Sequence, residues 1–274
     1  MHPFDEALRL EPLDAALPGV FTGSSSPAYW NMVGPFGGTT AATALQAILL
    51  HPALLGEPLS LTVNFAAGLG PGEFQLTARP LRTNRSTQHW FIEMTQADAQ
   101  GVQSLLMSAT AVTAVRRPTW GQNDSPMPAV PLPQDCSPAL YPDKLVWMRR
   151  YEMRVARGDF PQLLDGGGKD SLSQFWLRDN PPRPLDFLAL TAMADAFYPR
   201  IWLRRATLVP AGTVSVTVYF HAGAAELARS DQGYLLGQAQ AQNFQQGFFD
   251  QAVQLWSDAG DLLVSSHQIV YFKE

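Results

Sequence analysis

One carboxylate stands out in this sequence because it interrupts an apolar run. Asp195 carries the only charge in the segment Phe187–Tyr198. Asp186 before the run and Pro199 after it are a candidate N-cap and a stop, which predicts a helix of about three turns. Apolar side chains on every face are typical of a buried helix. A buried carboxylate is costly unless it is hydrogen-bonded or used in chemistry, so Asp195 is either a general base or a structural residue that locks the helix.

The elements that would hold this helix in place occur twice along the chain. A second helix rich in small residues is predicted at Thr39–Leu50, after the glycines of Gly34–Gly38. Four strand-like runs separated by turn signals follow each helix. The runs are Leu59–Ala66, Glu73–Arg82, Gln88–Thr95 and Val102–Val115 in the first half, and Gly212–Phe220, Gly233–Asn243, Gly247–Ser257 and Asp261–Phe272 in the second. Shorter strand signals lie at Gly19–Thr22, Tyr29–Val33, Tyr151–Val155 and Ser171–Leu177.

The residues repeat together with the pattern, which indicates a tandem duplication. The matching segments are Ser60–Phe65 with Ser215–Phe220, Phe91–Val112 with Phe249–Val270, and Thr39–Leu45 with Thr191–Phe197. In this alignment Asp195 falls opposite Thr43, so only the second copy keeps a carboxylate on its helix. A long apolar helix followed by four antiparallel strands suggests a sheet wrapped around one helix, and two such units can join edge to edge.

A proline-rich stretch divides the two copies. We predict an N-terminal repeat at residues 1–116, an extended linker at 117–143 and a C-terminal repeat at 144–274. A chain of 274 residues is long enough for two such units with a sizeable core.

Composition excludes several classes of function. The net charge is −5 and no basic run could follow a phosphate backbone, so nucleic acid is not expected as a partner. No apolar run reaches the roughly 18 residues of a membrane span, and the first residues do not resemble a signal peptide. Cys136 is the single cysteine, and we expect a cytoplasmic protein. The strand histidines His89, His221 and His267 lack metal-ligand spacing, so no metal is predicted.

The sequence resembles the type II acyl-CoA thioesterases, which have a double hotdog fold, and more closely their bacterial thioesterase-like relatives. The resemblance covers nearly the whole chain. It is carried by Gly34–Gly38 before the first helix, Arg85-Ser86 between two strands, Ala194-Asp195 in the second helix, Thr213 before the strand Ser215–His221, and the ending Leu262–Tyr271. It implies an α+β fold in which each of two hotdog repeats wraps a helix in an antiparallel sheet.

The resemblance also implies a site. The catalytic Asp, Thr and Gln of the family, which hold the attacking water, fall on Asp195, Thr213 and Gln268. Without that resemblance Thr213 and Gln268 would be ordinary strand residues. The implied substrate is a fatty or aryl acyl-CoA, with coenzyme A as part of the substrate and no other cofactor.

Four more residues are candidates for substrate binding. Gly37 and Gly38 would let backbone N–H groups at a helix N-terminus hold an oxyanion, or would serve only packing. Arg85 and Ser86 are candidates by resemblance. The basic cluster at residues 149–157 suits either the phosphates of coenzyme A or a solvated strand edge.

Two other functions remain open. A protein of the same fold could bind acyl thioesters without useful turnover. A hotdog hydratase acting on enoyl thioesters is a weaker alternative, since its chemistry pairs an Asp with a nearby His and Asp195 has none. A homo-oligomer is possible.

Overall fold

A computed structural model describes residues 1–141, 143–158, 168–205 and 207–273. Its helices are α1 (Pro3–Ala7), α2 (Gly37–Leu49), α3 (Phe187–Met193) and α4 (Ala224–Ser230). The strands of the first half are β1 (Glu11–Pro12), β2 (Val20–Ser24), β3 (Glu57–Phe65), β4 (Glu73–Thr83), β5 (Thr87–Ala97) and β6 (Gln103–Ala114). Those of the second half are β7 (Ser137–Pro138), β8 (Tyr151–Arg157), β9 (Ser173–Asp179), β10 (Ala211–Phe220), β11 (Leu235–Gln240), β12 (Phe244–Gln245), β13 (Phe248–Trp256) and β14 (Leu262–Phe272).

All of these strands belong to one antiparallel sheet. Its order is β1-β2-β4-β5-β6-β3-β10-β14-β13-β11-β9-β8-β7, and β12 pairs with β13. The order β2-β4-β5-β6-β3 in the first half corresponds to β9-β11-β13-β14-β10 in the second. Strands β3 and β10 therefore join the two repeats edge to edge, as predicted, and each repeat covers an edge that the other would leave open.

The register in which β3 pairs with β10 is the one expected if a two-fold axis relates the two repeats. Thr62 pairs with Thr217, its equivalent in the repeat, and their hydroxyl oxygens are 3.0 Å apart. On either side of them, Asn64 pairs with Ser215 and Ser60 with Tyr219. The sequence match between β3 and β10 is thus also the spatial match. The fold is a double hotdog, in agreement with the prediction.

Helices α2 and α3 lie in the core, as their apolar composition predicts. Helix α2 packs against β4, β5 and α3. Leu188, Leu190 and Met193 of α3 are buried, and they share one hydrophobic cluster with core-facing residues of both halves of the sheet. The predicted N-cap is confirmed, because the Asp186 carboxylate accepts a hydrogen bond of 2.7 Å from the Ala189 N–H.

Two parts of the chain differ from the sequence-based picture. The predicted strand Tyr29–Val33 is wrong: Pro27–Tyr29 form a 3₁₀ helix, and the N–H of Asn31 bonds the carbonyl of Gly34 in a tight reversal. Within the proposed linker, Ser137–Pro138 pairs with β8 as an edge strand of the second repeat. The exact boundaries of the repeats stay a proposal. None of the described helices is long and apolar enough to cross a membrane.

Candidate active site

A cavity of about 470 Å³ lies where the two repeats meet. The loop before α2, the end of β3, the segment after α3 and the ends of β10, β13 and β14 form its walls. Most of the wall is apolar. The main apolar side chains are Phe65, Leu69, Met94, Leu106, Met107, Phe197, Trp202 and Val270. Such a cavity is of the size and character that holds a small apolar ligand group.

Asp195 lies in this cavity, just beyond the end of α3. The prediction that the helix continues to Tyr198 is wrong, because regular α-helix ends at Met193. The Asp195 N–H bonds the carbonyl of Ala192, and the Phe197 N–H then bonds the carbonyl of Asp195, which turns the chain. This turn brings the carboxylate to the start of α2.

The segment after Asp195 is held by a buried arginine. The Arg200 guanidinium donates hydrogen bonds to the carbonyl oxygen of Tyr198, at 2.6 and 3.0 Å, and to the Ser173 hydroxyl at 2.7 Å. The Phe197 ring stacks on Phe175 of β9 with centroids 5.6 Å apart. These contacts fix the turn that carries the carboxylate. Burial lowers the pKa of Arg200 to about 10, so the side chain stays charged at neutral pH.

Asp195, Gln268 and Thr213 are joined by hydrogen bonds. The Gln268 Nε2 donates to Asp195 Oδ1 at 3.1 Å, and the Thr213 hydroxyl donates to Gln268 Oε1 at 2.9 Å. An ionised carboxylate only accepts hydrogen bonds, so Asp195 fixes the amide with Nε2 towards itself and Oε1 towards the Thr213 hydroxyl. The structure thus brings together the three residues singled out by resemblance. Their catalytic roles stay a proposal.

A β-bulge turns Thr213 towards this group. In β10 the side chains of Val216, Val218 and Phe220 face the core, so strict alternation would turn Val214 inward and Thr213 outward. The pairing of β10 with β14 shifts by one residue between Thr213 and Ser215. An extra residue at a bulge re-aims the side chains beyond it, and Val214 is the exposed residue instead.

The two candidate glycines lie against Asp195. A Cβ atom on Gly37 would lie 2.9 Å from Asp195 Oδ2, and one on Gly38 would lie 2.6 Å from the Ala192 carbonyl oxygen. Glycine is therefore needed for this close approach. The N-terminus of α2 favours a negative charge, and the carboxylate of Asp195 occupies that position.

The pKa of Asp195 is close to neutrality. Burial raises it from 3.8 to about 7, although the hydrogen bond from Gln268 and the backbone N–H of Gly38 act in the opposite direction. A carboxylate with this pKa exchanges protons readily near pH 7, which suits a general base.

Arg85 and Ser86 are not part of this cavity. They lie in the turn between β4 and β5, where the Ser86 carbonyl accepts a hydrogen bond from the Val115 N–H. That position is beside the start of β3, whereas Asp195 is near the end of β3 marked by Phe65. The structure therefore gives the two residues no contact with the site.

Gln251 is a cavity residue that the sequence reasoning missed. It faces the core from β13, is 2% exposed and pairs in register with Gln268. Its signal was present in the sequence, since it is a polar residue on the same face as Phe249, Val253 and Leu255. No cluster of His, Cys, Asp and Glu with the makings of a metal site occurs in the described ranges.

Comparison with known proteins gives related folds and a family. A protein of unknown function with a hot dog fold from Alicyclobacillus acidocaldarius is 44% identical, with a TM-score of 0.91 over 100% of this chain and 99% of that one. A putative thioesterase II from Thermobifida fusca YX is 19% identical, with a TM-score of 0.83 over 100% and 98%. The acyl-CoA thioesterase II TesB2 from Mycobacterium marinum is 18% identical, with a TM-score of 0.75 over 98% of each chain.

Curated protein sequences gave no match. Two family models do match: that of the acyl-CoA thioesterase N-terminal domain covers residues 26–114, and that of the C-terminal domain covers residues 133–272. Both halves of the sequence are thus matched, each by the domain of the corresponding position, and the chain belongs to the acyl-CoA thioesterase family.

Proposed function

We propose that this protein hydrolyses acyl-CoA thioesters by direct attack of a water molecule that Asp195 activates. The observation that carries the proposal is the hydrogen-bonded series Thr213, Gln268 and Asp195, which opens onto a largely apolar cavity. Gln268 occupies Oδ1 of the carboxylate. Oδ2 is left to accept a proton from water.

The reaction then follows from this arrangement. Water attacks the carbonyl carbon as its proton passes to Asp195, and a tetrahedral oxyanion forms. The C–S bond breaks, and the thiolate of coenzyme A takes the proton back from Asp195, which leaves a carboxylic acid and free coenzyme A. No covalent enzyme intermediate is needed. General base catalysis of this kind contributes about 10²–10⁴-fold.

The N-terminus of α2 supplies the stabilising dipole. The Gly38 N–H is directed to Asp195, which leaves the Gly37 N–H as the oxyanion donor that we propose. Backbone donors placed in advance where charge develops are among the strongest contributions to catalysis. The positive end of the helix also favours the anionic, basic form of Asp195.

The test is release of free thiol from acyl-CoA thioesters of increasing chain length. Wild type should turn over part of the panel, and Asp195→Asn should lose at least about 100-fold in kcat. Asp258→Asn is the matched control, because the same change in an exposed turn leaves the cavity untouched. If Asp195→Asn kept most of its turnover, Asp195 would not be the base. Binding of acyl-CoA without turnover by wild type would instead identify an acyl-thioester binding protein.

A further inference from the structure

Gln251 brings a second amide into the apolar part of the cavity. It lies on the core-facing side of β13 between Phe249 and Val253, both of which belong to the hydrophobic core. In the pairing of β13 with β14 it stands directly opposite Gln268. Side chains paired in this way lie on the same face of the sheet with Cβ atoms about 4.5–5.5 Å apart.

The Gln251 side chain is only 2% exposed and lines the cavity, and its amide makes no hydrogen bond to another described residue, so the amide faces the open space of the cavity. The fold treats another buried amide differently. Gln88, 1% exposed, accepts from the Leu55 N–H and donates to the Ala53 carbonyl and the Thr83 hydroxyl. Covering a polar group with an apolar one, without replacing its hydrogen bonds, costs free energy. The amide of Gln251 lines the cavity, so a molecule inside the cavity can supply the missing partner.

The distance of Gln251 from the proposed position of the attacking water determines which atoms of the substrate its amide can contact. Thr213, Gln268 and Gln251 lie on three neighbouring strands, β10, β14 and β13. Neighbouring strands are about 4.7–4.9 Å apart, so Gln251 stands one strand beyond the group that holds the water. With a hydrogen-bond length of about 2.9 Å, its amide reaches atoms two or three bonds from the thioester carbonyl carbon.

This side of the cavity is the closed side. Phe197, Tyr198 and Trp202 are buried residues of the cavity wall, and the helical turn that carries Trp202 packs against β13, the strand of Gln251. At the rim, by contrast, Val33 is 88% exposed. The charged nucleotide of coenzyme A must remain at the open rim, because burying its phosphates would be costly. The acyl group therefore occupies the side where Gln251 lies.

We propose that Gln251 is a specificity-determining residue that binds an oxygen on the third carbon of the acyl group, so that 3-hydroxyacyl and 3-oxoacyl thioesters are the preferred substrates. The inference rests on the thioesterase function proposed above. Nε2 donates to an oxo or a hydroxyl oxygen, and Oε1 accepts from a hydroxyl group. An unsubstituted acyl chain leaves both atoms without a partner. Loss of one neutral hydrogen bond corresponds to about a tenfold difference in affinity.

The experiment compares hexanoyl-CoA with 3-hydroxyhexanoyl-CoA and 3-oxohexanoyl-CoA. Their dissociation constants are measured by titration calorimetry on Asp195→Asn, which does not consume the ligand, and on the double variant Asp195→Asn/Gln251→Leu. Asp195→Asn/Gln240→Leu is the matched control, since Gln240 is exposed on the neighbouring strand β11. Thermal unfolding confirms that each variant is folded.

We expect Asp195→Asn and the Gln240 control to bind the two oxygenated ligands about tenfold more tightly than hexanoyl-CoA. The Gln251 variant should bind all three ligands with the same affinity. Equal affinity already in Asp195→Asn, or a preference that survives Gln251→Leu, would overturn the inference. Thiol release by wild type separates this failure from that of the proposed function. If wild type hydrolyses the three thioesters without a preference, only the role of Gln251 is refuted. If wild type neither hydrolyses nor binds them, both proposals are refuted.

Discussion

Asp195→Asn should make the protein more stable at neutral and alkaline pH while it removes the proposed base. The substitution is nearly isosteric, and the side-chain oxygen of Asn can still accept the hydrogen bond from Gln268 Nε2. What changes is the charge. The ionised carboxylate of the wild type is held in a site that raises its pKa from 3.8 to about 7, chiefly through burial.

The magnitude and sign follow from this pKa. Below about pH 4 the carboxyl is protonated in both the folded and the unfolded protein, so wild type and variant should be equally stable. Between about pH 4 and pH 7 the unfolded chain releases its proton while the folded chain retains it, so rising pH destabilises the wild type. A pKa displaced from 3.8 to about 7 corresponds to about 4 kcal/mol against the ionised form, which is a ceiling because the carboxylate faces an open cavity.

The assay is urea unfolding of both proteins at a series of pH values from about 4 to 8.5. The difference in unfolding free energy should grow from near zero to at most about 4 kcal/mol and level off above about pH 7. Asp258→Asn, the same change in an exposed turn outside the cavity, is measured alongside as the matched control. A difference between wild type and Asp195→Asn that stayed constant with pH, or a less stable variant at pH 8.5, would refute the claim that burial raises this pKa.

Two further variants test the geometry of the site. Thr213→Val should lower kcat by about tenfold or more with little change in KM, because the Gln268 amide loses its hydrogen bond to the hydroxyl. Thr213→Ser keeps a hydroxyl and should restore the rate. Equal rates for the Val and Ser variants would contradict this. Gly37→Ala should lower kcat at least about tenfold, since its Cβ would lie 2.9 Å from Asp195 Oδ2 and would displace the carboxylate. Gly121→Ala, outside the cavity, where an added Cβ meets nothing within 4 Å, should retain full activity, and equal losses in both would show that the contact with Asp195 is not the cause.

Hydrophobic alternation and internal repetition predict most of this fold. The predicted strand Gly212–Phe220 differs by one residue from β10, and Asp261–Phe272 differs by one residue from β14. The core-facing alternation of Val216, Val218 and Phe220 in β10 is the kind of local signal on which such a prediction depends. An edge-to-edge junction was predicted from the open edges of the two sheets, and the structure shows that the matched strands β3 and β10 form it.

Features that depend on tertiary contacts could not be predicted in this way. The end of α3 at Met193 is set by the turn that brings Asp195 to α2, and the composition of Ala194–Tyr198 remains that of a helix. The bulge after Thr213 leaves no mark in the sequence, because Val214 suits either face of a strand. Asp195 was found from its place in an apolar run, whereas Thr213 and Gln268 were found by resemblance. Gln251 was missed because one polar residue on an apolar face is a weak signal.

The duplication gives two equivalent positions for a base, and the lengths of the two helices decide which one can act. Thr43, the equivalent of Asp195, lies within α2, which continues unbroken to Leu49. Its hydroxyl bonds the Thr39 carbonyl of its own helix at 2.9 Å. Helix α3 instead ends two residues before Asp195, so that this side chain projects from a turn into the cavity. A carboxylate at position 43 would stay within the packed surface of a helix, and the asymmetry of the site therefore lies in the backbone as well as in the residue type.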